Sequence, residues 1–331
     1  MVGSKHSWKA WLYLLPAIIL LLIFTVWPII NTLVMAFSEG YNAMTAVAGA
    51  GFEPGFGNFT KVFDPAGGFL IVDVESGFSK AGFGALGNTM LLTVLTVPLS
   101  TLLALLIAVA LNSIKPLQRF YQTVFFLPYV TNSIAIGMVF AVMFKMVGTG
   151  FDTADPTISS YGVVNTVLQP ILNLFGTDHI NWMNNGSSYW TKIFVTSAYI
   201  IWNALPFKIL ILLGGLQSVN KQYYDAAKVD GTSRFRTFTR ITVPLLSPML
   251  SYVIITSFIS GFKEYSSIVG IFDEKMAESG QLRTMTGYIY DAISGTNANY
   301  GVAAAAALVL FAIIFVVTML NLYVSKKTTH Y

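Results

Sequence analysis

Long apolar runs dominate this 331-residue chain and constrain its fold more than any other feature. A helix of about 20 apolar residues is long enough to cross a bilayer. Hydrophobic residues make up 55% of the sequence and charged residues only 10%, whereas an ordinary soluble domain carries about a quarter charged residues. So little charge cannot cover a water-facing surface of this size. The sequence therefore predicts an all-α polytopic membrane protein, not a soluble domain.

The hydrophobic pattern predicts six transmembrane helices. They cover about residues 11–37, 85–111, 120–146, 189–216, 243–270 and 300–324. The first run is too long for a signal peptide and has no clear cleavage site, so we interpret it as a retained helix. Neither a fixed-period repeat nor a soluble domain is visible. We therefore expect a single transmembrane domain over residues 1–331, with a Gly- and Phe-rich loop at 38–84.

Basic residues concentrate on one side of the predicted membrane. They are Lys5, Lys9, Lys115, Arg119, Lys221, Lys228, Arg234, Arg236, Arg240, Lys326 and Lys327. Only two acidic residues, Asp225 and Asp230, accompany them, and lysine and arginine accumulate in cytoplasmic loops. The pattern predicts that both termini and the 217–242 loop are cytoplasmic and that the 38–84 loop is extracytoplasmic. A basic loop that merely binds anionic lipid is a compatible alternative.

The most polar segment of the chain, residues 217–242, is predicted to form two short helices. The first is expected over residues 221–229 and ends near Gly231, where a residue without Cβ can adopt a positive φ. Ser233 is a favourable N-cap for the second helix, over residues 234–242. Pro244 suits the first turn of the next span. This helix–turn–helix is predicted to lie at the membrane surface.

The same segment carries a recognisable spacing. The residues concerned are Asp225, Ala226, Ala227, Asp230, Gly231, Ile241 and Pro244. Their order resembles the EAA coupling motif of binding-protein-dependent ABC importer permeases, with Asp225 replacing the usual Glu. Thr232 and Val243 also depart from the common Ala and Leu. An incidental amphipathic surface loop is the alternative interpretation.

The resemblance extends along most of the chain. The segments "GNTMLLTVLTVPLSTLLALLIAVALN", "FYQTVFFLPYVTNSIAIGMVFAVMF" and "IIWNALPFKILILLGGLQSVNKQYYDAAKVDG" are similar to spans two, three and four of the maltose-type sugar permeases. After span five, "GIFDEKMAES" stands where many relatives carry a Thr-x-Gly-Gly-Pro turn. The resemblance implies the type I ABC importer permease fold.

The resemblance also implies a set of partners. The sequence has no G-x-x-x-x-G-K-[ST] loop to cradle ATP phosphates. ATP and Mg are therefore expected on a cytosolic ATPase dimer, and this chain is expected to be a non-catalytic subunit without a cofactor of its own. The other implied partners are a second homologous permease, an extracytoplasmic solute-binding protein, a sugar substrate and membrane lipid, but no nucleic acid. The implied location is a bacterial or archaeal cytoplasmic membrane.

Polar and aromatic residues within the spans suggest a substrate path. The candidates are Asn132, Tyr199, Trp202, Asn203, Lys263, Glu264 and Tyr265. Aromatic faces stack on flat sugar faces, and amides and charges hydrogen-bond sugar hydroxyls. We hypothesise that Glu264 accepts hydrogen bonds from the substrate, that Tyr265 or Trp202 supplies an aromatic face, and that Lys263 is a structural partner.

These path assignments assume that Lys263 and Glu264 lie in a continuous helix, where consecutive side chains point about 100° apart. The alternatives are an internal Lys–Glu pair that joins two helices, and an Asn132 that hydrogen-bonds a neighbouring helix. Lys208 is expected to extend to the membrane interface rather than to bind substrate.

Three other functions compete with sugar import. The first is import of another polar solute, such as a glycerol phosphodiester or polyol, by the same architecture. The second is an ion-coupled secondary transporter, which gives no reason for the coupling motif and often shows an inverted repeat. The third is a membrane enzyme, for which the sequence offers no nucleophile–base or metal-ligand constellation.

Overall fold

The computed structural model describes residues 7–41, 53–64, 69, 83–114, 118–149, 157–177, 179–184, 186–273, 276, 281–294 and 298–328. The chain divides into two compact units. The first contains residues 1–67 and 288–311, and the second contains residues 68–287 and 312–331.

The first unit begins with one long apolar helix. It consists of α1 (Ser7–Leu21), a π-helical turn (Leu22–Val26) and α2 (Trp27–Ala36). Strand β1 (Ser38–Glu39) then pairs antiparallel with β2 (Glu53–Pro54), and α3 (Gly57–Phe63) follows. The predicted 38–84 loop therefore contains regular structure, while residues 42–52, 65–68 and 70–82 lie outside the described residues.

One buried asparagine explains how α3 is held against the end of α2. The Asn58 amide donates to the carbonyl of Ala36 at 3.2 Å and to that of Ser38 at 2.8 Å. The last carbonyls of a helix have no partner within the helix, so a side-chain donor at this place satisfies them.

The second unit contains most of the helices. They are α4 (Gly84–Ser113), α5 (Gln118–Val130), α6 (Ser133–Phe144), α7 (Gly162–Leu172), α8 (Tyr189–Ser218), α9 (Lys221–Val229), α10 (Arg234–Thr237), α11 (Val243–Leu245), α12 (Ser247–Phe262) and α13 (Ser266–Phe272). A π-helical turn (Phe238–Thr242) joins α10 to α11, a 3-10 turn (Asn173–Phe175) follows α7, and β3 (Val147–Thr149) pairs antiparallel with β4 (Thr157–Ser160). The last two helices, α14 (Met285–Ile293) and α15 (Tyr300–Thr328), each pass from one unit into the other.

The described residues contain four helices long and apolar enough to span a membrane, and six candidate spans if each of two bent helix pairs counts as one. Four are single helices: Trp11–Ala36, Gly84–Ser113, Tyr189–Ser218 and Tyr300–Lys327. The other two are bent pairs, Phe120–Val130 with Ser133–Phe144 and Arg234–Leu245 with Ser247–Phe262. The predicted number of six is reached when each bent pair is one span, and the expectation that these two spans are continuous helices is wrong.

The bend in the third span is 99°. The Asn132 side chain accepts hydrogen bonds from the N–H groups of Ile134 at 2.9 Å and Ala135 at 3.3 Å, so that a new helix begins at Ser133. An asparagine that caps a helix satisfies N–H groups that would otherwise have no partner. A continuous helix over residues 120–146 is therefore wrong.

The fifth span is broken twice. It bends by 69° between α11 and α12, where Pro248 occupies the first turn of α12. The span then ends at Phe262, and α13 begins at Ser266. Residues Lys263 to Tyr265 are not helical, so the predicted helix over 243–270 and the 100° argument built on it are wrong.

The helices that follow the two breaks pack closely. A Cβ atom placed on Gly137 of α6 would lie 2.8 Å from Cα of Gly270 in α13. Backbone cannot yield as a flexible side chain can, so small residues are needed where two helices approach so closely. This contact fixes α6 and α13 beside each other.

Two buried apolar clusters flank the middle of α8. One includes Tyr189, Ile193 and Tyr199, and the other includes Leu212 and Leu216. The stretch of α8 between these clusters carries polar and charged residues, and a cavity opens there.

Candidate solute cavity and coupling segment

The cavity lies in the second unit and has a volume of about 450 Å³, a size typical of small-molecule sites. Its walls come from α4, α5, α8 and α12 and from the two breaks. Hydroxyl-bearing residues form much of the lining: Thr96, Ser100, Tyr129, Ser133, Thr256, Ser257, Ser260 and Ser267. The cavity therefore offers many hydroxyl groups beside its apolar lining.

The hydroxyls can occupy apolar helices because many donate back along their own helix. Ser100 Oγ donates to the Thr96 carbonyl, and Thr256 Oγ1 donates to the Tyr252 carbonyl at 2.8 Å. Such bonds satisfy the hydroxyl hydrogen locally. The oxygen lone pairs remain available as acceptors toward the cavity.

An aromatic pair forms another part of the wall. The rings of Tyr129 and Phe207 are stacked, with centroids 6.0 Å apart and planes inclined by 18°, and both residues line the cavity. Nearby, Asn203 Nδ2 donates to Ser133 Oγ at 3.4 Å. Flat apolar faces beside an amide and hydroxyls are the groups that a polyhydroxylated ring requires.

Among the described residues, two charged side chains line the cavity, and Lys208 is one of them. Its side chain is only 3% exposed, and Nζ donates to Ser100 Oγ at 2.6 Å and to Thr101 Oγ1 at 3.1 Å. The expectation that Lys208 extends to the interface is therefore wrong. The reason is that buried hydroxyl groups of α4 lie within hydrogen-bond distance of the Lys208 ammonium.

Glu264 is the other charged residue of the lining. Its Oε1 accepts from the backbone N–H of Tyr265 at 3.1 Å and from that of Ser267 at 3.0 Å. A carboxylate in this position caps the first turn of α13 and is favoured by the partial positive charge there. The break before α13 thus has its own stabilising side chain.

The remaining predicted path residues occupy different environments. Tyr199 is buried and its hydroxyl donates to the Ser133 carbonyl at 2.5 Å, behind the cavity wall. Trp202 packs on Phe140 with ring centroids 5.5 Å apart. Tyr265 packs against the cluster around Tyr199.

The last two predicted residues, Lys263 and Asn132, are exposed at the two breaks. Of the seven predicted path residues, the structure places Asn203 and Glu264 on the cavity. Direct contact with a solute stays a prediction for both.

Sequence reasoning missed the hydroxyl wall of α4 although a signal was present. Thr89, Thr93, Thr96 and Ser100 are buried and recur every three or four residues, the spacing of one helix face. In a helix otherwise rich in Leu and Val, such a polar stripe indicates a protein-facing or water-facing side. Tyr129 and Phe207 offered no comparable signal, because their stacking depends on tertiary packing.

The coupling segment folds as its sequence predicts. Helix α9 ends in a turn in which Thr232 N–H bonds the Ala227 carbonyl at 3.0 Å and Gly231 N–H bonds the Lys228 carbonyl at 3.1 Å. This pair of bonds is the Schellman arrangement, which requires a left-handed residue at its centre. Gly231 supplies it with φ of +65°.

The second short helix of this segment begins at its predicted cap. Ser233 Oγ accepts from the Arg236 N–H at 3.4 Å, and the helical path then continues through the π turn to Pro244, which is exposed in α11. Ile241 is half-buried within that turn.

The surface of the coupling segment combines exposed charge with exposed apolar side chains. Asp225 and Lys228 form an ion pair at 3.1 Å, and exposed pairs of this kind contribute about 0–1 kcal/mol. Val229 is 88% exposed and Phe235 is 76% exposed. The weak ion pair leaves the Asp225 carboxylate able to exchange partners.

The other predicted coupling residues lie around the turn. Ala226 and Asp230 are exposed, whereas Ala227 is buried. Their placement agrees with the predicted geometry, and their contact with another protein stays a prediction.

Fold and site together define a class: a polytopic membrane protein with a hydroxyl-bearing cavity beside two broken helices and a charged helix–turn–helix after α8. A model of the family described as binding-protein-dependent transport system inner membrane component matches residues 100–330. The chain belongs to this family of ABC transporter permeases, which confirms the resemblance drawn from its motifs.

Individual relatives match over nearly the whole chain. The lactose transport system permease protein LacF of Rhizobium radiobacter is 26% identical over 320 residues, which cover 96% of this chain and 94% of that protein. The arabinooligosaccharides transport system permease protein AraP of Bacillus subtilis is 28% identical over 323 residues, which cover 97% of this chain and 90% of that protein.

The fold also matches a solved transporter. A chain in the crystal structure of a bacterial ABC transporter involved in the import of the acidic polysaccharide alginate superposes with a TM-score of 0.70 and 22% identity. The match covers 98% of both chains. This likeness confirms the ABC importer permease fold.

Proposed function

We propose that this chain is the permease subunit that forms the membrane path for a sugar or oligosaccharide in an ATP-driven importer. The observation that carries the proposal is the cavity, in which hydroxyls, Asn203 and the stacked rings of Tyr129 and Phe207 surround about 450 Å³. The names of the relatives, which refer to lactose and to arabinooligosaccharides, support a saccharide. A glycerol phosphodiester or polyol is the second candidate, but neither requires an aromatic wall.

The proposed assembly contains a second homologous permease, a cytosolic ATPase dimer that holds ATP and Mg, and a solute-binding protein outside a bacterial or archaeal cytoplasmic membrane. The coupling segment supports the ATPase contact, because Val229 and Phe235 expose apolar surface beside the charges of Asp225 and Lys228. In this assembly the chain is non-catalytic. Its role is to transmit the closure of the ATPase dimer to the helices around the cavity.

Reconstituted uptake tests the proposed function. The complex purified through a tag on this chain is placed in liposomes, and its solute-binding protein is added outside with radiolabelled neutral and acidic disaccharides, glycerophosphodiesters and polyols. We expect ATP-dependent uptake of a saccharide that disappears without the binding protein or with a non-hydrolysable ATP analogue. Uptake of a glycerophosphodiester or polyol alone would favour the second candidate, and uptake driven by an ion gradient without ATP would refute the proposal.

Cysteine labelling tests the orientation, because the native sequence contains no cysteine. Single cysteines replace Lys326 near the end of α15 and Lys61 in α3, both of which are exposed. In intact cells, a membrane-impermeant maleimide is expected to label Lys61→Cys and to reach Lys326→Cys only after permeabilisation. The reverse labelling would show that the predicted orientation is inverted.

A further inference from the structure

The ammonium of Lys208 has three acceptors among the described residues, and all three are neutral. Its Nζ lies 2.6 Å from Ser100 Oγ, 3.1 Å from Thr101 Oγ1 and 3.5 Å from the Val97 carbonyl oxygen. Ser100 donates its own hydrogen to carbonyls of α4 and therefore presents lone pairs to the lysine. The N–H groups of Lys208 are paired, but its charge is not neutralised.

No carboxylate among the described residues lies within ion-pair distance of Lys208. Glu264 lines the same cavity, yet its Oε1 is engaged by the backbone N–H groups of Tyr265 and Ser267. These bonds hold the Glu264 carboxylate at the first turn of α13, where the partial positive charge favours it. The cavity wall therefore carries an ammonium and a carboxylate that are not paired with each other.

An uncompensated ammonium within a membrane span is costly, and such residues commonly mark the path of a substrate or ion. Lys208 and its partner Ser100 both line the cavity, so an anionic group in the cavity would lie beside the Lys208 side chain. A negatively charged group on the solute could form an ion pair with Lys208, which no carboxylate among the described residues does.

We propose that Lys208 determines substrate specificity by selecting saccharides that carry an anionic group, such as the carboxylate of a uronic acid. The inference rests on the proposed function, because it assumes that this cavity receives the solute. The hydroxyl wall and the Tyr129–Phe207 pair would hold the sugar ring, as they would for a neutral sugar. Lys208 would add the preference for the acidic form.

Direct binding tests the inference without the solute-binding protein, whose own specificity would mask that of the cavity. The assembled transporter in nanodiscs is titrated with matched disaccharides at constant ionic strength: galactobiose against digalacturonate, and cellobiose against cellobiouronate. Singly sulfated galactobiose shows whether any anion suffices or a carboxylate is required. In at least one pair we expect an apparent Kd at least tenfold lower for the acidic member, the effect of about one charge-assisted hydrogen bond.

Variants assign this preference to Lys208. Lys208→Gln keeps a hydrogen-bond donor near Ser100 but removes the charge, Lys208→Met removes both, and Lys208→Arg keeps the charge. Lys145→Gln is the matched control, since Lys145 is exposed at the end of α6 and does not line the cavity. We expect Lys208→Gln and Lys208→Met to abolish the acidic preference, and Lys208→Arg and Lys145→Gln to retain it.

Equal affinity for neutral and acidic members, failure of every acidic member to bind, or a preference that survives Lys208→Gln would overturn the inference. The uptake experiment separates this failure from failure of the proposed function. An importer that takes up only neutral saccharides would refute the role of Lys208 and leave the proposed function intact.

Discussion

Replacement of Gly231 by valine is expected to reduce ATP-dependent uptake roughly 5–30-fold while the protein still inserts and folds. Gly231 has φ of +65° at the centre of the turn after α9, and open space surrounds the position of a Cβ atom. The effect of valine therefore comes from the local backbone and not from a clash with other residues: the left-handed region costs an L-residue about 1–2 kcal/mol. A bias of this size shifts a conformational equilibrium by the stated factor.

The measurement compares uptake with ATPase activity and with co-purification of the ATPase. If Gly231→Val opens the turn, α9 and the Ser233-capped helix lose their relative orientation and the ATPase is retained poorly or no longer responds to the binding protein. Gly231→Asn is the matched control, because asparagine tolerates the left-handed region far better than a β-branched residue. Equal loss in both variants would show that the backbone conformation at Gly231 is not what matters.

The coupling segment could be predicted in detail because its structure is local. A Gly at the end of one helix and a Ser at the start of the next each act on backbone groups within a few residues, as the bonds of Thr232 and Arg236 show. The residues that determine these turns and caps all lie within a short stretch of sequence. The turns and caps can therefore be predicted without knowing which helices pack against the segment.

The breaks in spans three and five could not be predicted from hydropathy, because a straight helix and a bent helix can have the same hydropathy profile. Asn132 was recognised as polar, but its role as a cap depends on the chain leaving the helix at that point. The close approach of Gly137 and Gly270 involves residues distant in sequence. Lys208 was misjudged for the same reason: its acceptors, Ser100 and Thr101, belong to another helix.

Replacement of Glu264 is expected to separate a structural role from a binding role, because the carboxylate caps α13 and also lines the cavity. Oε1 accepts both backbone bonds of the α13 cap, and the Ser267 side chain also hydrogen-bonds the carboxylate. In Glu264→Ala, the two N–H groups lose their acceptor. We expect this variant to lower the free energy of unfolding by about 1–3 kcal/mol, measured as a loss of thermal stability of the purified transporter.

Glu264→Gln keeps an amide oxygen for the cap but removes the charge and one acceptor. We therefore expect near-native thermal stability together with roughly tenfold weaker apparent affinity in uptake, the loss of one hydrogen bond to a charged group. Lys263→Gln, at an exposed position outside the cavity lining, is the neighbouring control. Normal affinity in Glu264→Gln would confine this residue to capping α13, whereas destabilisation as large as in Glu264→Ala would show that the cap needs the charge and not merely an acceptor.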